Sequence, residues 1–121
     1  MKLLSRTSLI MTLVSMATIF TSLRPKTQKV VFFGDSITAQ GVKPGGYVTR
    51  IKDALTQKGL TNDYELIGAG IGGNKVYDLY LRMDDDVLAQ NPDVVFIYIG
   101  VNDVWHKVSS GTGTEIGRAH V

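Results

Sequence analysis

The hydroxyl of Ser36, the backbone amides around Gly73 and the carboxamide of Asn102 are the groups whose types and settings could do chemistry together. Ser36 ends Val30-Val31-Phe32-Phe33-Gly34-Asp35-Ser36, an apolar run that breaks abruptly into glycine and small polar residues. Asn102 sits in the same setting: Val94-Val95-Phe96-Ile97-Tyr98-Ile99 runs straight into Gly100-Val101-Asn102-Asp103. Gly73 closes Gly70-Ile71-Gly72-Gly73, just ahead of Asn74. A serine held at a strand end can attack a carbonyl, and N–H donors beside it can stabilise the oxyanion that then develops. Glycine at 73 would let the backbone approach a substrate closely. Each residue also has a structural reading, in which Ser36 caps a turn and the glycines only shape loops. Two strand ends that break in the same way favour a shared site.

The elements that must position these groups follow from the apolar pattern. Continuous apolar runs of strand length are expected to be strands buried on both faces, the first over residues 29–33 and the third over 94–99. Residues 47–58 place Val48, Ile51, Ala54 and Leu55 on one side of a helix that Gly59 stops. A short second strand is expected over residues 64–67, followed by a glycine-rich turn over 68–73. A helix then opens at Asn74 with Val76, Leu79, Tyr80, Met83 and Val87 as its buried stripe, and Asn91-Pro92-Asp93 breaks it. The run Asp84-Asp85-Asp86 points in different directions around that helix and reads as a solvated face rather than a cation site. The order β-α-β-α-β implies right-handed crossovers, a parallel sheet and helices on its faces, an open α/β sandwich. Ligands in such sheets bind at the carboxyl ends of the strands, where strand order reverses. In the flavodoxin-like order 2-1-3 the turns at Ser36, Gly73 and Asn102 would be neighbours.

With 121 residues and 44% hydrophobic content, the chain has material for one modest domain. It has no cysteine, which excludes disulfides, thiolate metal sites and cysteine redox chemistry. The net charge of +2 conceals an asymmetry, since five of thirteen basic residues precede residue 30 and all eleven acids follow it. Residues 30–121 carry eight basic and eleven acidic side chains, a balance of −3, which offers no basic stripe for nucleic acid. Residues 1–24 begin with Lys2 and Arg6, continue as a moderately apolar stretch over residues 9–20 and contain no acid. That order reads as a secretory signal, because the stretch undershoots the roughly 20 apolar residues of a spanning helix. An uncleaved N-terminal anchor is the alternative, and the only expected membrane association. Localisation is accordingly expected to be secreted or periplasmic.

At these residues the sequence resembles the SGNH hydrolase family, the GDSL esterases and lipases. Phe33-Gly34-Asp35-Ser36-Ile37-Thr38 resembles its first block, Gly70-Ile71-Gly72-Gly73-Asn74 its second and Gly100-Val101-Asn102-Asp103 its third. The resemblance covers residues 29–107 and implies the N-terminal part of a flavodoxin-like three-layer α/β/α sandwich. It implies Ser36 as catalytic nucleophile, with the Ser36 N–H, Gly73 and Asn102 as the oxyanion hole. Gly34, Asp35, Gly100 and Asp103 match motif positions, and the two aspartates are expected to order turns rather than perform chemistry. The implied reaction is hydrolysis of a carboxylic ester through an acyl-enzyme, without metal or organic cofactor. Acetylated sugars, lysophospholipids and short acyl esters are the substrates that fit. Tyr47, Tyr77 and Trp105 could border a pocket or belong to the core.

The family's fourth block, an Asp-x-x-His near the C-terminus that supplies the general base and its orienting carboxylate, has no counterpart at this C-terminus. His120 has Gly117 three residues before it, and His106 stands four residues after Asn102, where a packing or rim role is expected. Residues 115–121 read like a translated sequencing adapter, so the natural coding sequence is expected to break near Thr114. The expected organisation is a signal or anchor over 1–24, a partial SGNH hydrolase domain over 25–114 and a non-native tail over 115–121. Such a chain would be nearly inactive, because a serine without its histidine is a poor nucleophile.

Three other readings stand beside this one. Gly68-x-Gly70-x-x-Gly73 matches a dinucleotide fingerprint, but the strand that should end in a ribose-binding acid ends in Gly100-Val101-Asn102. Asp35 and Asp103 could hold Mg²⁺ for phosphoryl transfer, though no lysine is obviously placed for the phosphate. A non-catalytic carbohydrate-binding or structural module is the third.

Overall fold

A computed structural model of the chain describes residues 26–112, so the expected export segment and the expected tail with His120 lie outside the described residues. The elements are β1 (Gln28–Gly34), α1 (Ser36–Gly41), α2 (Tyr47–Gln57), β2 (Tyr64–Gly70), α3 (Val76–Asp86), a 3₁₀ turn (Leu88–Gln90), β3 (Val94–Tyr98) and α4 (Val101–Ser109). The three strands are parallel in the order β2-β1-β3. This is the arrangement expected from the alternation of strands and helices, with β1 at the centre.

β1 is central because its side chains are apolar on both faces of the pleat. Val31 and Phe33 are fully buried on one face, where they pack with Leu79 of α3 and with Val87. Phe32 is buried on the other face, its ring edge-on to Tyr47 of α2 at 5.7 Å between centroids. Alternation thus sends successive residues of one strand to two helical layers, giving the three-layer α/β/α sandwich. Each fully buried side chain of this size contributes about 1.5–3 kcal/mol of apolar transfer.

β2 runs three residues further than the sequence pattern suggested, because Gly68, Ala69 and Gly70 extend the strand instead of forming a turn. The glycines are there for packing. A Cβ on Gly68 would stand 2.2 Å from Val42 Cγ1, and one on Gly70 would stand 2.2 Å from the Ala39 nitrogen. The backbone of α1 therefore lies directly on β2. This accounts for two of the three glycines of the dinucleotide-like fingerprint without a ligand.

Three further expectations are corrected. Residues 36–41, for which no element was expected, form the short helix α1, nucleated by the Asp35 carboxylate, which accepts from the Ile37 N–H at 2.9 Å. The buried stripe of α3 is Leu79 with the partly buried Met83, continuing to Val87, whereas Val76 and Tyr80 are exposed. The helix begins at Val76 rather than Asn74. β3 is not buried on both faces: all five of its residues are 38–53% exposed, because among the described residues it is an edge strand with little packed on it.

β3 is nevertheless well anchored at its start. Asn91 adopts a left-handed backbone with φ of 49°, and Pro92 then leads into Asp93. The Asp93 N–H donates to the Lys29 carbonyl, while its carboxylate accepts from the Lys29 N–H and from Lys26 Nζ, both at 2.8 Å. Those donors, Lys26 first, hold the Asp93 carboxyl below its ordinary range.

Candidate active site

The register of the sheet brings the three strand ends level. Gly34 pairs with Gly70 on one side and with Tyr98 on the other, so the turns bearing Ser36, Gly72-Gly73 and Asn102 leave the same edge of the sheet. Ser36 is the first residue of α1 and is partly exposed. A Cβ built on Gly72 would come 3.9 Å from the Ser36 Cβ, which places the second turn against the serine. Gly73 has φ of +80° and nothing within 4 Å of where a side chain would begin, so its backbone is open to a ligand and strained for any other residue.

Hydrogen bonds tie the turns together. The Ile71 N–H donates to the Gly34 carbonyl at 3.1 Å, linking the second turn to the first. Asn102 is buried, and its Nδ2 donates to the Asn74 carbonyl at 2.9 Å, linking the third turn to the second. Asp103 is buried beside it and accepts from the Val76 N–H, at 3.2 Å and 3.4 Å, at the start of α3. Negative charge suits that helix end. Gly100 precedes them with φ of +122°, a backbone in which glycine avoids the Cβ strain, and this lets β3 turn sharply into α4.

Asp35 and Asp103 are therefore each engaged by backbone N–H groups. Asp35 is 1% exposed, with Oδ1 on the Ile37 N–H and Oδ2 buried without a hydrogen-bond partner among the described residues. Among those residues no group of three or more histidines and acids is placed to hold a metal ion. His106 is half-buried on α4.

A pocket of about 190 Å³ lies between the ends of β1 and β3, lined by Asp35, Ile37, Tyr98, Ile99 and Val101 but not by Ser36. Ser36 lies in sequence between two of these residues, and the lining is mostly apolar. A larger cavity of about 330 Å³ involves Lys52, Leu55, Thr61, Tyr64, Glu65 and Leu66. It lies by the amino end of β2, away from the level strand ends. Of the aromatic candidates, Tyr47 belongs to the interior, its hydroxyl 3.0 Å from Thr38 Oγ1, while Tyr77 and Trp105 are exposed.

Arg82 is the residue that sequence reasoning missed. Its side chain is only 14% exposed, and it reaches from α3 to the strand ends. Nη2 donates to the Gly34 carbonyl at 2.7 Å, Nη1 and Nη2 to the Ala69 carbonyl at 3.1 Å, and Nε to Asn74 Oδ1 at 2.7 Å. Nη1 also pairs with the Asp86 carboxylate one helical turn on, and Cζ stands 4.5 Å from the centre of the Phe33 ring. The available signal was the spacing Leu79, Arg82, Met83, Asp86, which puts a charged pair on the face of α3 that carries its apolar contacts.

Residues 32–116 match the family model described as GDSL-like Lipase/Acylhydrolase. An acetylxylan esterase of Geobacillus stearothermophilus is 37% identical over 91 residues, 66% of this chain and 42% of the relative. YqeF, an uncharacterised lipoprotein of Bacillus subtilis (strain 168), is 36% identical over 83 residues, 63% of this chain and 32% of the relative. Among solved structures, the acetyl xylan esterase AlAXEase superposes with a TM-score of 0.70 and 69% identity over 72% of this chain and 44% of its own. The chain thus spans less than half the length of these relatives. Among the described residues no helix is long and apolar enough to cross a membrane.

Proposed function

The chain belongs to the GDSL-like lipase/acylhydrolase family, and from that premise we propose that it carries the nucleophile and oxyanion-binding half of a serine esterase. The observation that carries this reading is the levelling of three strand ends in the order β2-β1-β3, with Gly34 paired to both Gly70 and Tyr98. Ser36 Oγ attacks the ester carbonyl, and its proton passes to a base. The tetrahedral oxyanion is met by the Ser36 N–H, the Gly73 N–H and the second N–H of the Asn102 carboxamide, the first being held by Asn74. The alcohol leaves, and water hydrolyses the acyl-enzyme by the same steps in reverse order. Asp35 and Asp103 order the turns through the N–H groups that they accept. The Asp-x-x-His that these residues do contain, Asp103-Val104-Trp105-His106, begins inside the third block with its carboxylate engaged by the Val76 N–H, so it is not assigned as the family's general base.

The substrate class is an acetyl or other short acyl ester of a carbohydrate. The acetyl xylan esterase that is 69% identical supports both the short acyl group and the carbohydrate. Export belongs to the same reading, because a polymeric sugar ester lies outside the cell. The acid-free segment over residues 1–24 and the lipoprotein relative are consistent with it.

The test is made on the full-length protein that carries this chain. A fluorophosphonate probe is expected to label the wild type at Ser36 and to leave Ser36→Ala unlabelled. The variant is expected to release no acetate from acetylated xylan above background. Acetate release at the wild-type rate by Ser36→Ala would overturn the assignment.

A further inference from the structure

The hydrogen bonds of the Arg82 side chain reach all three strand-end turns, directly or through one intermediary. It holds the Gly34 carbonyl two residues before Ser36 and, through Nε, the side chain of Asn74 next to Gly73. The third turn joins through the same residue, because the Asn74 carbonyl accepts from Asn102. The contact at Ala69 alone would suffice to pin α3 to β2. The bond to Asn74 lies beyond the strand, on the turn, and fixes the segment in which Gly73 presents its N–H.

A lysine cannot make this set of contacts. Guanidinium is planar and carries five N–H groups in a fixed fork, so it can span two carbonyls and a carboxamide at once, whereas an ammonium is a single point of charge. The apolar surface of Phe33 beneath the guanidinium and the Asp86 carboxylate at its edge fix its plane. We propose that Arg82 is a positioning residue that sets the Gly73 amide and the Asn102 carboxamide against the serine turn. This rests on the esterase reading above, in which those two groups bind the oxyanion. A displacement of about 1 Å in such groups can cost on the order of 10²-fold in rate.

The test uses Arg82→Lys and Asn74→Ala in the full-length protein, with Ser36→Ala beside them. The kinetic constants are measured for acetyl ester hydrolysis, with thermal unfolding as the control for folding. Arg82→Lys is expected to lower kcat about 10- to 100-fold with KM within about threefold of wild type. Asn74→Ala removes the acceptor of Nε while leaving the strand contacts, and keeps the test available where Arg82→Lys does not fold. It is expected to lower kcat about 10-fold with little change in unfolding temperature. Wild-type kcat in a folded Arg82→Lys, or in Asn74→Ala, would overturn the proposal. So would a loss of kcat that only tracks the fraction unfolded. If Ser36→Ala is inactive while both other variants turn over normally, only this proposal fails. If Ser36→Ala itself is active, the esterase reading fails first.

Discussion

At the scale of the residue, the buried carboxamide of Asn102 ties two turns together and, in the proposed esterase, also meets the oxyanion. One N–H of its carboxamide is committed to the Asn74 carbonyl at 2.9 Å, and that bond orients the plane in which the second N–H points. Asn102→Ala is expected to lower kcat by about 10² to 10³ while leaving KM nearly unchanged, the signature of a contact made in the transition state. It should also destabilise the fold by about 1–3 kcal/mol, because the Asn74 carbonyl loses its donor. Steady-state kinetics and urea unfolding on one preparation separate the two effects, and an unaltered kcat would remove Asn102 from the oxyanion site. That Ser36 and Asn102 stand at strand-end turns was legible because each follows an abrupt break from an apolar run to small polar residues, and the turn at Gly73 because it closes a glycine-rich run. Arg82 was not, since its partners at Gly34 and Ala69 are backbone carbonyls, which every residue type presents equally.

At the scale of the element, the placement of strands and helices was legible where apolar period and turn chemistry agreed, as in β1, α2 and β3. It failed where a close backbone approach decided the structure. Gly68 and Gly70 read as turn formers by composition, yet they sit in β2 because α1 lies on it too closely for a side chain. The two sites should respond differently to alanine. At Gly70 the new Cβ meets backbone, the Ala39 nitrogen at 2.2 Å and the Thr38 carbonyl carbon at 2.6 Å, so α1 as a whole would have to shift. At Gly68 it meets the end of the Val42 side chain, which can rotate. Gly70→Ala is expected to cost about 3 kcal/mol or more and Gly68→Ala about 1 kcal/mol, read from urea unfolding. Equal costs would mean that α1 does not rest on the strand. The anchor at the start of β3 can be tested by pH. The Asp93 carboxyl is held below its ordinary value, so its contribution is complete above the unfolded-state pKa of about 4 and is lost as pH falls through the lower folded-state value. Asp93→Asn should therefore lower the unfolding temperature at pH 6 but make little difference at pH 2. Added salt should narrow the gap, because the Lys26 partner is exposed.

At the scale of the whole molecule, the sheet is unevenly covered among the described residues. β1 and the α3 face form a closed core of Val31, Phe33, Leu79 and Val87, whereas Val94, Val95, Phe96, Ile97 and Tyr98 are each 38–53% exposed. α4 continues that apolar surface with Val104, Trp105 and Val108 exposed. A fully buried side chain of this kind contributes about 1.5–3 kcal/mol, so five half-exposed ones leave several kcal/mol of transfer free energy unrealised. β3 has the composition of a strand covered on both faces, and composition could not reveal that little packs on it among residues 26–112. An apolar edge strand with unpaired backbone groups is a template for pairing with another copy. The 121-residue chain expressed by itself is therefore expected to associate with increasing concentration, as sedimentation velocity over about a tenfold range would register. Ile97→Lys puts a charge on the most exposed part of β3 and is expected to shift that equilibrium toward monomer without altering β1. A chain that stays monomeric throughout, with the lysine variant behaving identically, would mean that residues outside 26–112 cover the strand.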